Sequence, residues 1–208
     1  MRKTTLMLSA LALVAASLAA PAMAQSKGDW TIGAGVGSVN PKSDNGALAG
    51  GTLAVDVGND VQPTITAEYF IADNIGIEVL AATPFRHAIN IDGLGQVGTT
   101  KHLPPVVSLQ YHFPTAGKIK PFVGAGVNFT TFFNESTRGA LAGSDLKLGN
   151  SWGLAAHVGA DVKISDKGSL RIDARWADID TDVKLDGAKI GTVNIDPMVY
   201  GVSYIHAF

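Results

Sequence analysis

From residue 29 onward the chain alternates apolar residues with small or polar ones at a period of two. Turn-forming residues divide it into segments, the pattern of strands with two unlike faces. In residues 29–39, Trp30, Ile32, Ala34 and Val36 share one face, and Thr31, Gly33, Gly35 and Gly37 the other. The same reading holds for residues 61–70, 75–82, 105–113, 119–132, 151–164 and 170–175. It ends with 198–208, where Met198, Tyr200, Val202, Tyr204 and Phe208 share a face. The pattern predicts eight strands.

The connections alternate in length. Short turns follow the second, fourth and sixth segments, at 72–74, 114–118 and 165–169. Long connections follow the others, at 40–60, 83–104, 133–150 and 178–196. Short turns at one end and long loops at the other, with an even strand number, predict an all-β, eight-stranded antiparallel transmembrane barrel of the outer-membrane type. Trp30, Tyr69, Phe113, Phe129, Trp152, Tyr204 and Phe208 fall at segment ends, where interfacial girdles belong. A soluble antiparallel barrel has the same alternation with its apolar face turned inward. The loop alternation and the terminal Phe208 count against it.

The first 24 residues change the picture by giving an address. Arg2 and Lys3 form a basic start, an apolar stretch runs to Leu18, and Ala22-Met23-Ala24 is a small-x-small cleavage site. This is a secretory signal peptide, predicted to be cleaved after Ala24, with the barrel over 25–208. The sequence has no cysteine, which removes disulfides and thiolate chemistry. Its formal net charge is −2, and loss of Arg2 and Lys3 makes the mature chain more acidic still. No basic field for nucleic acid exists.

Several motifs in order then resemble the OmpW family of small outer-membrane proteins. They are Asp73-Asn74-Ile75-Gly76, Ala81-Ala82-Thr83-Pro84-Phe85-Arg86-His87, His102-Leu103-Pro104-Pro105, Pro121 through Phe133, Ser151-Trp152-Gly153 and Asp178-Ile179-Asp180-Thr181. The resemblance implies an eight-stranded barrel with a narrow hydrophobic channel for small apolar molecules, opening through its wall. It also implies roles in stress responses and as a receptor for phage or bacteriocins. One departure is His206, where barrel-assembly signals usually carry an aromatic or aliphatic residue. A shifted register in the last strand is therefore expected.

On the inward face, charge gathers near the short turns. Glu68, Glu78, His112, Asp161, Lys163, Arg171, Asp173 and Arg175 all fall in that half, joined by Gln110 and His157. An eight-stranded barrel is only wide enough for side chains to fill, so mixed charges there predict a paired polar plug. The upper half offers Gly33, Gly35, Asn128 and, as path-lining candidates, Leu80, Ala82, Phe85 and Thr130. Strict alternation from Leu170 turns Trp176 outward. The family resemblance implies a lumen position for it instead, which needs a bulge after Arg175. Pro104 and Pro105 cannot donate ladder hydrogen bonds and mark the expected lateral opening, beside strand three. The partners expected are outer-membrane lipids and small hydrophobic solutes.

No catalytic, metal or cofactor site is expected. His87 and His102 flank one loop and can meet, but no third ligand has supporting spacing. Enzymatic barrels need a Ser–His–acid or Asp–His group near the outer rim, whereas the acids here concentrate at the other end. A filled barrel acting through its loops is the alternative to a channel.

Overall fold

In the computed structural model, residues 25–208 are described; the predicted signal peptide lies outside the described residues. Fifteen strands follow one another. They are β1 (Trp30–Asn40), β2 (Ala47–Leu48), β3 (Leu53–Val57), β4 (Asp60–Ala72), β5 (Ile75–Ala82), β6 (Phe85–Ile91), β7 (Gly95–Leu103), β8 (Val106–His112) and β9 (Ile119–Thr137). A 3₁₀ turn (Gly139–Leu141) precedes β10 (Leu146–Leu148), β11 (Ser151–Lys163), β12 (Gly168–Ala177), β13 (Asp180–Leu185), β14 (Ala188–Asn194) and β15 (Met198–Ala207).

Eight of these close into a barrel in the order β1, β4, β5, β8, β9, β11, β12, β15 and back to β1, every pair antiparallel. They are the eight expected segments, and closure gives every wall strand a partner on both sides. The apolar face points outward. Val36, Ile65, Leu109, Val127, Leu154, Val158, Ile172 and Val202 are all exposed. Aromatic pairs sit at the ends of the wall: Trp30 with Tyr69 at 4.8 Å between ring centroids, and Phe129 with Trp152 at 4.6 Å.

Two expectations are corrected. The register of β15 is continuous against both neighbours, from Thr31 opposite Ala207 to Asn40 opposite Met198, and from Gly168 opposite His206 to Trp176 opposite Met198. His206 keeps its place because its ring packs between Tyr204 and Phe208, with centroids 6.4 and 4.9 Å away. The four long connections are not simple loops. They fold into a β-extension above the barrel: β6 and β7 form a hairpin that β3 joins on one side and the long β9 on the other. Strands β10, β13 and β14 make a three-stranded sheet. The β13–β14 turn is Asp186-Gly187, with φ of 50° and 84°, the positive angles a two-residue hairpin turn requires. Leu48, Val55, Val57, Phe132, Leu146, Val183, Val193 and Ile195 bury one apolar core between these pieces.

Candidate functional site

The barrel interior divides into an ionic lower half and an apolar upper half. Below, Arg171 on β12 holds Asp161 through two parallel bonds, Nε to Oδ1 at 2.7 Å and Nη2 to Oδ2 at 2.9 Å. Its Nη1 donates to Glu78 Oε2 at 2.6 Å, and Arg175 Nη2 donates to Glu78 Oε1 at 2.7 Å. The Arg171 guanidinium also lies over the Phe122 ring, 4.4 Å from its centroid. Gln110 Nε2 donates to both Glu68 oxygens at 3.1 and 3.0 Å, and its Oε1 accepts from His157 Nε2 at 2.8 Å. Gln25 Nε2 donates to His112 Nδ1 at 2.8 Å, which fixes the ring as the Nε2–H tautomer; that Nε2 donates to Glu68 Oε1 at 2.8 Å. Each residue of this network is nearly or fully buried.

Two glycines make room for it. A Cβ on Gly76 would sit 2.2 Å from Glu68 Oε1, and one on Gly124 would sit 2.2 Å from His157 Nε2. Charge in a narrow lumen is tolerable because each carboxylate meets a cation or several donors; a lone one would cost several kcal/mol.

Above the network lies a lumen cavity of about 40 Å³. Its floor is Glu78, Arg171, Asp173 and Arg175, and its walls include Leu80, Ala82, Phe85, Val106 and Ala177. Pro104 also lines it, while Pro105 is exposed on the outside of the wall. A second cavity, about 160 Å³, lies higher, inside the β-extension. Apart from His87, Thr100 and Thr181, its lining is aliphatic or aromatic, with Leu48, Val55, Ile89, Val97, Phe132 and Val183 among it. An apolar cavity of roughly 150 Å³ in another protein stays dry and admits a benzene-sized molecule.

His87 and His102 stand between the two cavities, His87 on the outer lining and His102 on the lumen lining. Their rings stack at 4.7 Å and 14°, and Phe85 and Phe132 pack against His102 at 5.5 and 5.7 Å. His87 Nδ1 donates to the Gly58 carbonyl. Its Nε2 and both His102 nitrogens have no partner among the described residues. Both rings lie in the extension, outside the wall strands. Burial, with His87 adding to it, pushes the His102 pKa down to about 3, and burial also lowers that of His87. Both rings are neutral at neutral pH.

The structure brings Glu68, Glu78, His112, Asp161, Arg171 and Arg175 into one hydrogen-bonded group. Asp173 is at its upper surface, its carboxylate filling the space that a Gly201 side chain would take. Lys163 sits at the lower rim instead, its Nζ 3.5 Å from Asp166 in the adjoining turn. Leu80, Ala82 and Phe85 line the lumen cavity. Thr130 lies in neither lining; it is buried and donates to Asn128 Oδ1 at 2.8 Å. The lumen position of Trp176 is corrected: its side chain is 39% exposed on the lipid-facing surface. Strand β12 pairs with both neighbours residue for residue through Arg175 and Trp176, so no bulge turns the ring inward. Arg175 and Ala177 take the inward positions on either side. Gln25 and Phe122 were not expected in the network. The alternation of β9 that places Gly124 inward carries Phe122 with it, a usable signal; Gln25 precedes the first strand and gave none.

A sequence model of the OmpW family matches residues 26–208. Outer membrane protein W of Vibrio cholerae serotype O1 is 42% identical over 205 residues, covering 93% of this chain and 94% of the relative. Outer membrane protein AlkL of Ectopseudomonas oleovorans is 31% identical, covering 86% of this chain and 83% of the relative. The crystal structure of the outer membrane protein OprG from Pseudomonas aeruginosa superposes with a TM-score of 0.79 at 32% identity, covering 89% of this chain and 98% of that one. With the closed eight-stranded wall, its lipid-facing apolar surface and this match over residues 26–208, the chain belongs to the OmpW family of outer-membrane barrel proteins.

Proposed function

We propose that the protein is an outer-membrane path for small apolar molecules, which enter from outside and leave sideways into the membrane. The observation that carries this reading is the order of the interior: an apolar outer cavity, a smaller lumen cavity beneath it, and a closed ionic network beneath that. An apolar solute gains free energy on entering the outer cavity, must widen the small lumen cavity to advance, and would have to break buried ion pairs to pass the network beneath. The wall supports a lateral exit. The β5–β8 ladder ends at Leu80 opposite Val106, so Ala81 and Ala82 have no partner on β8. Pro104 and Pro105 supply no N–H there, and together they run from the cavity to the outside of the wall. Under this reading the partners are small hydrophobic solutes and outer-membrane lipids.

The test is uptake of octane by cells carrying the protein, beside a Leu80→Arg variant of equal abundance. Protein-dependent uptake that the variant abolishes is the expected result, because the guanidinium would fill the lumen cavity. Equal uptake with and without the protein would end the proposal. A second reading is a filled barrel acting through its outer surface as a receptor for phage or bacteriocins. The 40 Å³ lumen, room for little more than a water or two, favours it. Loss of phage or bacteriocin sensitivity without any loss of octane uptake, on altering the extension, would select it.

A further inference from the structure

The outward face of the extension carries two cations set against each other. On β6, Phe85 and His87 line the inner cavities, so Arg86 between them points outward, where it is exposed. On β7, Thr100 and His102 line these cavities, so Lys101 points outward as well. The strands pair antiparallel with Arg86 directly opposite Lys101, and Lys101 is in turn opposite Phe133 on β9. Like charges directly opposite in a sheet destabilise it. Elsewhere on the extension Lys42, Lys147 and Lys189 each meet a carboxylate, of Asp196, Asp145 and Asp182. Arg86 and Lys101 are in no ion pair among the described residues. Asp60 accepts the Arg86 backbone N–H at 2.7 Å and the Gln62 amide at 2.8 Å, and Glu135 accepts the Leu148 N–H at 3.2 Å, so neither carboxylate holds either cation.

The pair sits at a definite height. Below Phe133 on β9 comes Thr131, opposite Leu103, and then Phe129, which packs on Trp152 in the aromatic ring of the wall. From Phe129 to Phe133 is about 13 Å along a strand, or about 10 Å along the barrel axis at the usual tilt. That clears a phospholipid headgroup layer of roughly 5–7 Å and is level with a bulkier sugar head. We propose that Arg86 and Lys101 hold one phosphate of a phosphorylated, acylated sugar of the outer leaflet, a lipid A-type glycolipid whose chains lie along the apolar wall beneath. The inference goes beyond the uptake reading and does not depend on it. A guanidinium offers a phosphate two parallel N–H bonds, and the ammonium adds a point charge from the next strand. An anion between them turns a repulsive cross-strand pair into a bridge. Half-buried Phe133, beside Lys101, gives the sugar an apolar edge. The site stands directly above the stretch where Ala81 and Ala82 of β5 have no partner on β8. Chain leaving β5 reaches Arg86 within four residues, and Lys101 leads through Pro104 and Pro105 into β8. A lipid held there ties β6 to β7 over that stretch.

The experiment measures lipid binding to the purified barrel in maltoside micelles by native mass spectrometry. The probes are bisphosphorylated lipid A, the same lipid stripped of phosphate, phosphatidylglycerol and inorganic phosphate. Wild type is expected to hold the phosphorylated lipid A about tenfold more tightly than the stripped form, the size of one charge-assisted hydrogen bond. Arg86→Gln with Lys101→Gln should remove that preference, and each single change should remove part of it. Lys147→Gln with Lys189→Gln, which takes the same charge from the β10–β13–β14 sheet, should leave it intact. All four side chains point outward, and an unchanged far-ultraviolet spectrum shows that a variant has folded; the single variants decide if the first double variant does not. A wild-type barrel that does not distinguish the two forms of lipid A, or a preference that survives in Arg86→Gln with Lys101→Gln, overturns the proposal. So does an equal loss in the lysine control, which makes the effect one of net charge. Phosphatidylglycerol bound as tightly as lipid A overturns the sugar lipid as the occupant, and inorganic phosphate bound as tightly overturns any lipid.

Discussion

The lower barrel and the upper assembly are joined by the long β9 that runs through both, yet they solve the problem of a narrow interior in opposite ways. Below, polar side chains reach across the lumen and pair with one another, leaving Arg175 Nη1 and His157 Nδ1 without a partner among the described residues, and little space remains. Above, apolar side chains line the walls and leave two cavities and three unpartnered imidazole nitrogens. The alternation of side chains along a strand fixes only which residues point inward. What those residues do depends on whether their functional groups find partners within reach. The lower half is therefore filled and closed, whereas the upper half keeps unfilled space.

The largest test of that contrast is Glu78→Leu. It deprives Arg175 of its ion pair and Arg171 of one of its carboxylates. Breaking a buried pair by removing one partner costs about 3–5 kcal/mol, and a shift of that size is expected in urea unfolding of the reconstituted barrel. A loss below about 1 kcal/mol would mean the lower network does not act as a unit.

A smaller effect, confined to the extension, is expected from acid. His102 has its folded pKa lowered to about 3 from 6.5. A base with a lowered pKa binds fewer protons folded than open, so stability is full above 6.5 and falls as pH drops toward 3. At pH 5.5 the loss is about 1.4 kcal/mol, a tenfold rise in opening of the β6–β7 hairpin. Hydrogen exchange at β6 and β7 amides, corrected for intrinsic rate, should show it. The barrel strands should not, and His102→Phe should reduce it to the share contributed by His87, whose pKa burial also lowers. The smallest effect is expected at Trp176→Leu, on the lipid face, with uptake unchanged. Lost uptake there would return Trp176 to the path and blur the contrast drawn above.

The barrel was legible because each wall strand has one lipid face and one lumen face, so the period of two survives in the residues themselves. The extension was not. Val97, Gly98, Thr99 and Thr100 in β7 are all buried, so no polar face marks the strand. Its apolar core draws on four separate connections that meet only in three dimensions. The charged residues of the network were legible as inward positions in the lower half, but their pairing was not. Glu78 and Arg175 lie 97 positions apart. For Trp176 the local alternation was the better guide than family resemblance, because the bulge that would reverse it does not form.

One consequence concerns mechanics. Around the closed ring of eight, β5 and β12 stand opposite each other, so the Glu78–Arg171 and Glu78–Arg175 pairs span the full diameter. They act as a cross-brace that resists flattening of the cylinder. The brace grips β5 only two residues below Leu80, directly under Ala81 and Ala82, which pair with β4 but have no partner on β8. If the lateral exit proposed above forms, a parting of the wall beside Pro104 would stop at that level, like a slit collar on a tube held round beneath it. On that proposal the barrel would yield at its upper rim while the network at its base keeps its shape.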